Sequence, residues 1–400
     1  MSPRAEAFER PPEELVAGLG LAGDWSPDGS ALPSLLDRYR LASDDGAGTM
    51  TAALALLWAS YLVGMQLPGR RALFSRLSLQ LQPGCGPVLA THGAGQDGSL
   101  AGRFGYTATV RDFHAGFGLM TAAVALRRSG AGPETPAQAI AAGELRSFVR
   151  QDPARPTAAQ WQDLCPPGDS LQGKVVLVIG ASRGLGAAIA EAACRQGGTV
   201  VATYAYSRDE AEALSQRAAG TPGRLVLEQG DARDPAWCAD LHERLLRDYG
   251  RLDVLVCNAC PALLPAWVEP ATVSRIQQHV ADSLALVLVP LAQSLPALVA
   301  VRGRVVLISS DAVARPVADW PHYVAAKCAL EGLARVAALE HPDVRFLIVR
   351  PPRLATDLTN TPLGRQNAIA PVRVASALVR RLSGIDGDTA LSQVDYLEEF

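Results

Sequence analysis

The sequence predicts two units of different fold class: an α+β unit over residues 1–130 and a doubly wound parallel α/β sheet over residues 171–385. Two observations carry the α/β assignment. From residue 172 onward, short apolar runs alternate with helix-forming stretches, the pattern of repeated βαβ units. The first run, 175–179, is apolar at every position and turns directly into glycines and an alanine-rich helix former. A third observation sets the upstream unit apart. One long apolar helix at 50–65 precedes runs of alternating apolar and polar residues, which suggests an antiparallel sheet wrapped around a helix. With 400 residues and 48% hydrophobic side chains, the chain has material for two to three such cores.

A formal net charge of -3 argues against nucleic acid or an anionic membrane as partner. The N-terminal stretch is charged and interrupted by proline, unlike a secretory signal. Two long apolar runs read as buried helices rather than membrane spans. Residues 50–65 are short for a span, and residues 281–301 carry Asp282, Pro290, Gln293 and Pro296. Seven scattered cysteines fit a reducing cytoplasm, the expected location. Cys257 and Cys260 form a C-x-x-C with neither a second pair nor a nearby histidine, so no metal is expected.

In the first unit, residues 11–23 read as a short helix, and Leu67-Pro68-Gly69 closes the helix at 50–65. Strands are expected at 72–82, 87–92, 100–111 and 116–127, with Gln96-Asp97-Gly98 as a hairpin turn. Residues 131–170 are rich in proline and read as a linker, with one helical patch at 137–149 and Pro166-Pro167-Gly168 as its end.

This arrangement resembles the hot-dog fold of MaoC-like enoyl-acyl hydratases. Gly23-Asp24-Trp25-Ser26-Pro27-Asp28-Gly29 stands where that family has G-D-x-N-P-x-H, whose Asp and His add or remove water across a double bond. Asp24 remains, but Ser26 takes the asparagine position and Gly29 the histidine position. Without an imidazole, no group there titrates near neutrality. The resemblance therefore implies a hot-dog domain lacking dehydratase activity, serving dimerisation or acyl-chain binding. The alternative makes Asp24 a plain cap or turn residue.

In the second unit, strands are expected at 175–179, 200–204, 224–229, 254–257, 304–309 and 344–350. Ligands in such sheets sit at the C-terminal strand ends. The polar signals cluster there: residues 180–186, Asp231, Asn258, Ser309, Ser310 and residues 350–357. Gly180 permits the tight turn, Gly184 lets backbone approach a pyrophosphate, and Gly186 lets the helix pack close. The helix N–H groups and dipole then favour the anion. The acidic stretch 386–400 reads as a disordered tail.

Tyr323 and Lys327 share one helix face at i and i+4. A phenol near its ordinary value of about 10 is a poor acid at neutral pH, and a cation beside it favours phenolate. Ser310 lies thirteen residues before Tyr323, at the end of an apolar strand, where its hydroxyl can orient a carbonyl.

Together these motifs closely resemble the short-chain dehydrogenase/reductase family, of ketoreductase type and with a Rossmann-type sheet. The resemblance implies cofactor contacts from Gly180, Ser182, Arg183, Gly184, Leu185 and Gly186 in the turn and from Asp231 and Ala232 beside the adenine. It adds cofactor contacts from Asn258 and Ala259, the N-A-G segment, and from Thr356 near the nicotinamide, and a catalytic set of Ser310, Tyr323 and Lys327, of which Tyr323 and Lys327 also contact the cofactor, Lys327 at its ribose. The family's helix asparagine, which holds a proton-relay water beside the lysine, aligns with Ser283. Ile179, Cys260 and Pro352 replace the family's usual residues at their positions. A serine at 283 implies a slower or rewired relay.

Members preferring NAD carry an acid after the second strand; here no carboxylate occurs before Asp209. Arg183, with Arg208, can pair a 2′-phosphate, so NADPH is expected. Joined to a hot-dog unit, the reductase is expected to act on a β-ketoacyl thioester, carrier-protein or CoA bound, of polyketide or fatty-acid assembly. The alternatives are a stand-alone oxidoreductase on a free ketone or alcohol and a non-catalytic acyl-binding scaffold. Both fold types self-associate, so a dimer or larger homo-oligomer is expected.

Overall fold

The structure is a computed structural model and describes residues 10, 12–26, 47–69, 72–82, 104–128, 138–150, 155–360, 364–384 and 393–400. The chain divides into two compact units near residues 152 and 153.

Among the described residues, the first unit is a five-stranded antiparallel sheet and one α-helix. The strands are β1 (Gly20–Trp25), β2 (Ala72–Leu81), β3 (Phe104–His114), β4 (Leu119–Arg128) and β5 (Gln138–Val149), in the order β1-β3-β4-β5-β2. Helix α1 (Ala47–Tyr61) widens into a π-helical turn at Leu62–Gln66. Period-two alternation puts Phe104, Tyr106, Ala108 and Val110 of β3 and Met120, Ala122, Val124 and Leu126 of β4 into one core. Leu54, Trp58 and Leu62 join it from the helix and its π-helical turn.

Three expectations for this region are corrected. Where a helix was expected over 11–23, residues 12–23 form a single 3-10 turn (Pro12–Glu14) and then enter β1, because Gly18 takes φ +92 and ends any helix there. In place of the helical patch expected at 137–149, residues 138–149 are β5, paired on both sides with β4 and β2. Alanine-rich composition suggested helix there, but tertiary pairing overrides that preference. Gly143 is essential to the packing, since a Cβ would lie 1.9 Å from the Ser78 carbonyl oxygen. The linker of 131–170 shrinks accordingly, because Trp161 and Cys165 already belong to the core of the second unit. The strand expected at 87–92, the turn at Gln96–Gly98 and Gly29 lie outside the described residues.

The second unit is a seven-stranded sheet, parallel throughout: β6 (Val175–Ile179), β7 (Thr199–Tyr204), β8 (Arg224–Gln229), β9 (Val254–Cys257), β10 (Arg304–Ile308), β11 (Arg345–Val349) and β12 (Val394–Leu397). Its order is β12-β11-β10-β9-β6-β7-β8. The helices are α2 (Ala158–Leu164), α3 (Gly184–Arg195), α4 (Arg208–Ala218), α5 (Pro235–Tyr249), α6 (Val273–Val301), α7 (Pro321–Glu340) and α8 (Pro371–Ser383). Two cores lie on opposite faces of the sheet. Val176 and Val178 enter one with α3 and α8, whereas Val175, Leu177 and Ile179 enter the other with α6 and α7. Burial on both sides explains the unbroken apolar run of β6.

The last stretch is also corrected. Residues 393–400 are no disordered tail; β12 is the edge strand, parallel to β11. Helix α6, with the turn before it, is long and apolar enough to cross a membrane by length and composition. Its buried stripe nevertheless includes His279, Ser283 and Ser294, and it packs on α5, α7 and β9.

Candidate active site

The glycine turn after β6 is built by close backbone approach. Gly180 has φ +81, and a Cβ there would come within 2.8 Å of Ala259. The Gly180 N–H donates to Thr203 Oγ1 at 3.1 Å, and Asn258 Nδ2 donates to the Gly180 carbonyl at 2.7 Å. A Cβ on Gly186 would sit 2.1 Å from that same carbonyl oxygen. Helix α3 then starts with Arg183 as an N-cap that makes no side-chain capping bond. Its first N–H groups are thus left for an anion, and Leu185 is buried beneath them. Thr356 is brought to this turn from far along the chain: a Cβ on Gly184 would lie 3.5 Å from the Thr356 methyl. These features fit a bound dinucleotide.

The expected adenine edge is more constrained. Asp231 accepts from Arg233 Nη2 at 2.7 Å and Nε at 3.0 Å, and Arg233 Nη1 reaches Asp282 of α6 at 3.0 Å. Hydrogen bonds from Arg233 hold the Asp231 carboxyl below the usual range. Ala232 beside it is buried. At the end of β7, Arg208 is engaged by Gln229 at 2.6 Å and by Glu212 at 3.7 Å. Arg183 is exposed, and among the described residues no ion pair engages it.

The catalytic candidates converge on the end of β10. Ser310 ends that strand's extension and accepts the Ala312 N–H on Oγ at 3.2 Å. Lys327 is 5% exposed, and its ammonium donates to the Ile308 carbonyl at 2.6 Å. That bond ties α7 to the strand end that carries Ser310. The same ammonium lies 5.6 Å from the Tyr323 ring centroid, and Trp320 packs edge-on to that ring at 5.8 Å. The i, i+4 spacing on α7 thus brings the Lys327 cation to the ring of a half-buried phenol.

Ser283 is buried on α6, where its hydroxyl donates to the His279 carbonyl at 2.7 Å. Its only proton is therefore spent on its own helix. The Cys257 thiol is pushed up to about 12 by burial. Cys257 and Cys260 are free thiols, and no three His, Cys, Asp or Glu side chains converge among the described residues.

Two features escaped the sequence reading. Glu331, one turn beyond Lys327, is 1% exposed. It accepts Ser309 Oγ at 2.6 Å and Arg350 in a bidentate pair at 2.9 and 2.6 Å. Arg350 in turn meets Glu398 at 2.7 Å and lies 4.6 Å over the Tyr396 ring. A glutamate four residues after Lys327, on the same helix stripe, was the available signal. The other feature is a buried pair, His279 and His322, edge-to-face with ring centroids 4.4 Å apart. Nothing in the sequence brings positions 279 and 322 together.

In the first unit, Asp24 lies in β1 and lines a cavity of about 420 Å³ with Gly23, Gly105, Tyr106, Thr107 and Arg127. Burial, then the Tyr61 phenol, pushes Tyr106 up to about 12. The cavity wall contains no histidine among the described residues.

Residues 174–366 match the family model described as short chain dehydrogenase. Among curated relatives, an uncharacterized oxidoreductase of Methylorubrum extorquens is 40% identical over 22% of this chain and 36% of its own. Versicolorin reductase 1 of Aspergillus parasiticus is 42% identical over 22% of this chain and 34% of its own. The chain thus spans about a third of the length of these first relatives. Among solved structures, an alcohol dehydrogenase from Thermococcus sibiricus, complexed with 5-hydroxy-NADP, gives a TM-score of 0.51 at 26% identity. That alignment covers 56% of this chain and 95% of the other. A short chain dehydrogenase from Burkholderia cenocepacia in complex with NADP gives 0.50 at 28% identity, covering 57% and 97%.

Proposed function

We propose, from the premise that residues 174–366 carry a short-chain dehydrogenase domain, that this oxidoreductase reduces a ketone to a secondary alcohol with NADPH. The observation that carries the reading is the buried Lys327 ammonium, fixed on the Ile308 carbonyl and lying over the Tyr323 ring. A reduced nicotinamide, when bound, supplies the hydride. Ser310 positions the ketone oxygen, its own hydroxyl oriented by the Ala312 N–H. Tyr323 donates the proton to that oxygen as negative charge develops on it. Lys327 stabilises the phenolate left behind and gives a proton back to it.

The choice of NADPH rests on Arg183, which is exposed at the uncapped start of α3 and meets no ion-pair partner among the described residues. Arg208 contributes less than its place in the sequence suggests, because Gln229 and Glu212 already hold it. Two of the solved relatives were captured with NADP or 5-hydroxy-NADP.

For substrate, we infer a β-ketoacyl thioester, presented by a carrier protein or CoA. Curated relatives are named as reductases of versicolorin and elsinochrome, which carries the direction of reduction. The antiparallel sheet of the first unit, in the order β1-β3-β4-β5-β2 and sharing its core with α1, supports the hot-dog reading that ties this chain to acyl thioesters. An apolar groove of about 510 Å³, lined by Trp267, Val268, Val317 and Val324, is suited to an acyl chain. The test compares turnover of a β-ketoacyl thioester surrogate with simple free ketones, using NADPH and NADH in parallel. Turnover confined to the thioester with NADPH supports the proposal. Equal turnover of free ketones overturns the thioester assignment, and equal use of NADH overturns the role given to Arg183.

A further inference from the structure

Asp231, the residue that the family resemblance sets beside the adenine, is fully engaged by its own chain. Its Oδ1 accepts the Arg233 backbone N–H at 2.9 Å and Nε at 3.0 Å. Its Oδ2 accepts Nε at 3.1 Å and Nη2 at 2.7 Å. Each oxygen thus carries two contacts, the capacity of a carboxylate. A lone exposed ion pair is weak, but this guanidinium is held twice, since Nη1 reaches Asp282 of α6 at 3.0 Å. The backbone is fixed as well. The Asp231 carbonyl accepts the Asp234 N–H at 3.0 Å. The Trp237 ring of α5 fills the space beside Gly230, where a Cβ would lie 2.0 Å from it, and Trp237 Nε1 donates to the Gln229 carbonyl at 3.1 Å. The residues leading into Asp231 are therefore pinned against α5.

We propose that Arg233 is a specificity-determining residue: by engaging both oxygens of Asp231 it withholds that carboxylate from the adenine, so the site does not read the 6-amino group of the cofactor's base. The proposal rests on the NADPH reading above. An ionised carboxylate can only accept hydrogen bonds. Hydrogen bonds from Arg233 keep Asp231 in that form, its carboxyl held below the usual range. The donor that adenine offers is its exocyclic amine. Asp231 can therefore read adenine only through that amine, and only once Arg233 has let go. Recognition of the cofactor is left to its phosphates, at the uncapped start of α3 and at Arg183.

The experiment measures Kd by titrating the fluorescence of the reduced nicotinamide. It compares NADPH with the analogue whose base is purine, which lacks only the 6-amino group. In the wild type the two should bind within about threefold of each other. Arg233→Ala releases Asp231, and the preference for NADPH over the analogue should rise to about tenfold or more, the scale of a hydrogen bond to a charged group. Adding Asp231→Ala to Arg233→Ala removes the freed carboxylate and should return the preference to the wild-type value. A protein held together differently by Arg233, but reading the base all the same, would not show this rise and return. A wild-type preference beyond about threefold overturns the proposal without recourse to any variant. So does an Arg233→Ala protein that binds both cofactors with the wild-type preference, or a double variant that keeps the gained one. Failure of the wild type to bind NADPH at all overturns the NADPH reading itself, and this inference with it.

Discussion

Arg183 and Gly186 show how much a single position decides in this site. Arg183 is engaged by no ion pair among the described residues and stands at the start of α3, so Arg183→Ala should lower the ratio of kcat/KM for NADPH to that for NADH by about tenfold, roughly 1.4 kcal/mol. Steady-state kinetics with both cofactors measures this, and an unchanged ratio would assign cofactor choice elsewhere. Gly186 faces backbone rather than a yielding side chain, since its missing Cβ would lie 2.1 Å from the Gly180 oxygen. Gly186→Ala therefore forces α3 away from the turn and should abolish NADPH binding, as read by titration of cofactor fluorescence. Wild-type affinity in that variant would refute the close-packed cradle. Both residues were legible in the sequence, because a glycine turn between a buried strand and a helix is a local pattern. His279 and His322 were not, because 43 residues separate them and only the packing of α6 on α7 makes them neighbours.

Among the elements, β12 and α7 are coupled through Arg350. Burial opposes ionisation of Glu331, but hydrogen bonds from Arg350 and Ser309 outweigh it and hold the carboxyl below its ordinary value. A carboxylate held low stabilises the fold at pH values above its unfolded pKa of about 4.3, and that stability is lost as pH falls through the folded value. Wild-type protein should therefore lose denaturant resistance steeply below about pH 4, and Glu331→Gln should be less stable at neutrality with a flatter acid limb. Parallel profiles for the two proteins would contradict this. Removing residues 393–400 takes away the edge strand, Glu398 and the Tyr396 ring that Arg350 covers. The thermal midpoint should fall by at least about 4 °C in calorimetry, whereas an unchanged midpoint would return these residues to the status of a tail. Their acidic composition concealed the strand. Composition likewise concealed β5, whose alanines suggest a helix until β4 and β2 pair with it on either side.

For the whole molecule, the parallel sheet was readable because each of its first six strands is an apolar run beside its own helix, a pattern local in the chain. The first unit was readable in outline only, since β1 and β2 are the sheet's two edges and β1 (Gly20–Trp25) pairs with the distant residues Phe104–Thr109 of β3. The candidate site follows the same division. Ser310, Tyr323 and Lys327 lie on one strand end and one helix, and the structure places the Lys327 ammonium on the carbonyl of Ile308, two residues before Ser310. What surrounds them, Glu331 and the histidine pair, comes from tertiary packing. The most direct test of the account is nicotinamide absorbance during reaction of NADPH with a β-ketoacyl thioester, wild type against Tyr323→Phe. The account predicts wild-type turnover and a loss of about 10²-fold or more in kcat for the variant, with NADPH binding retained. Turnover by the variant at the wild-type rate would contradict it, because the proton would then come from a group other than Tyr323.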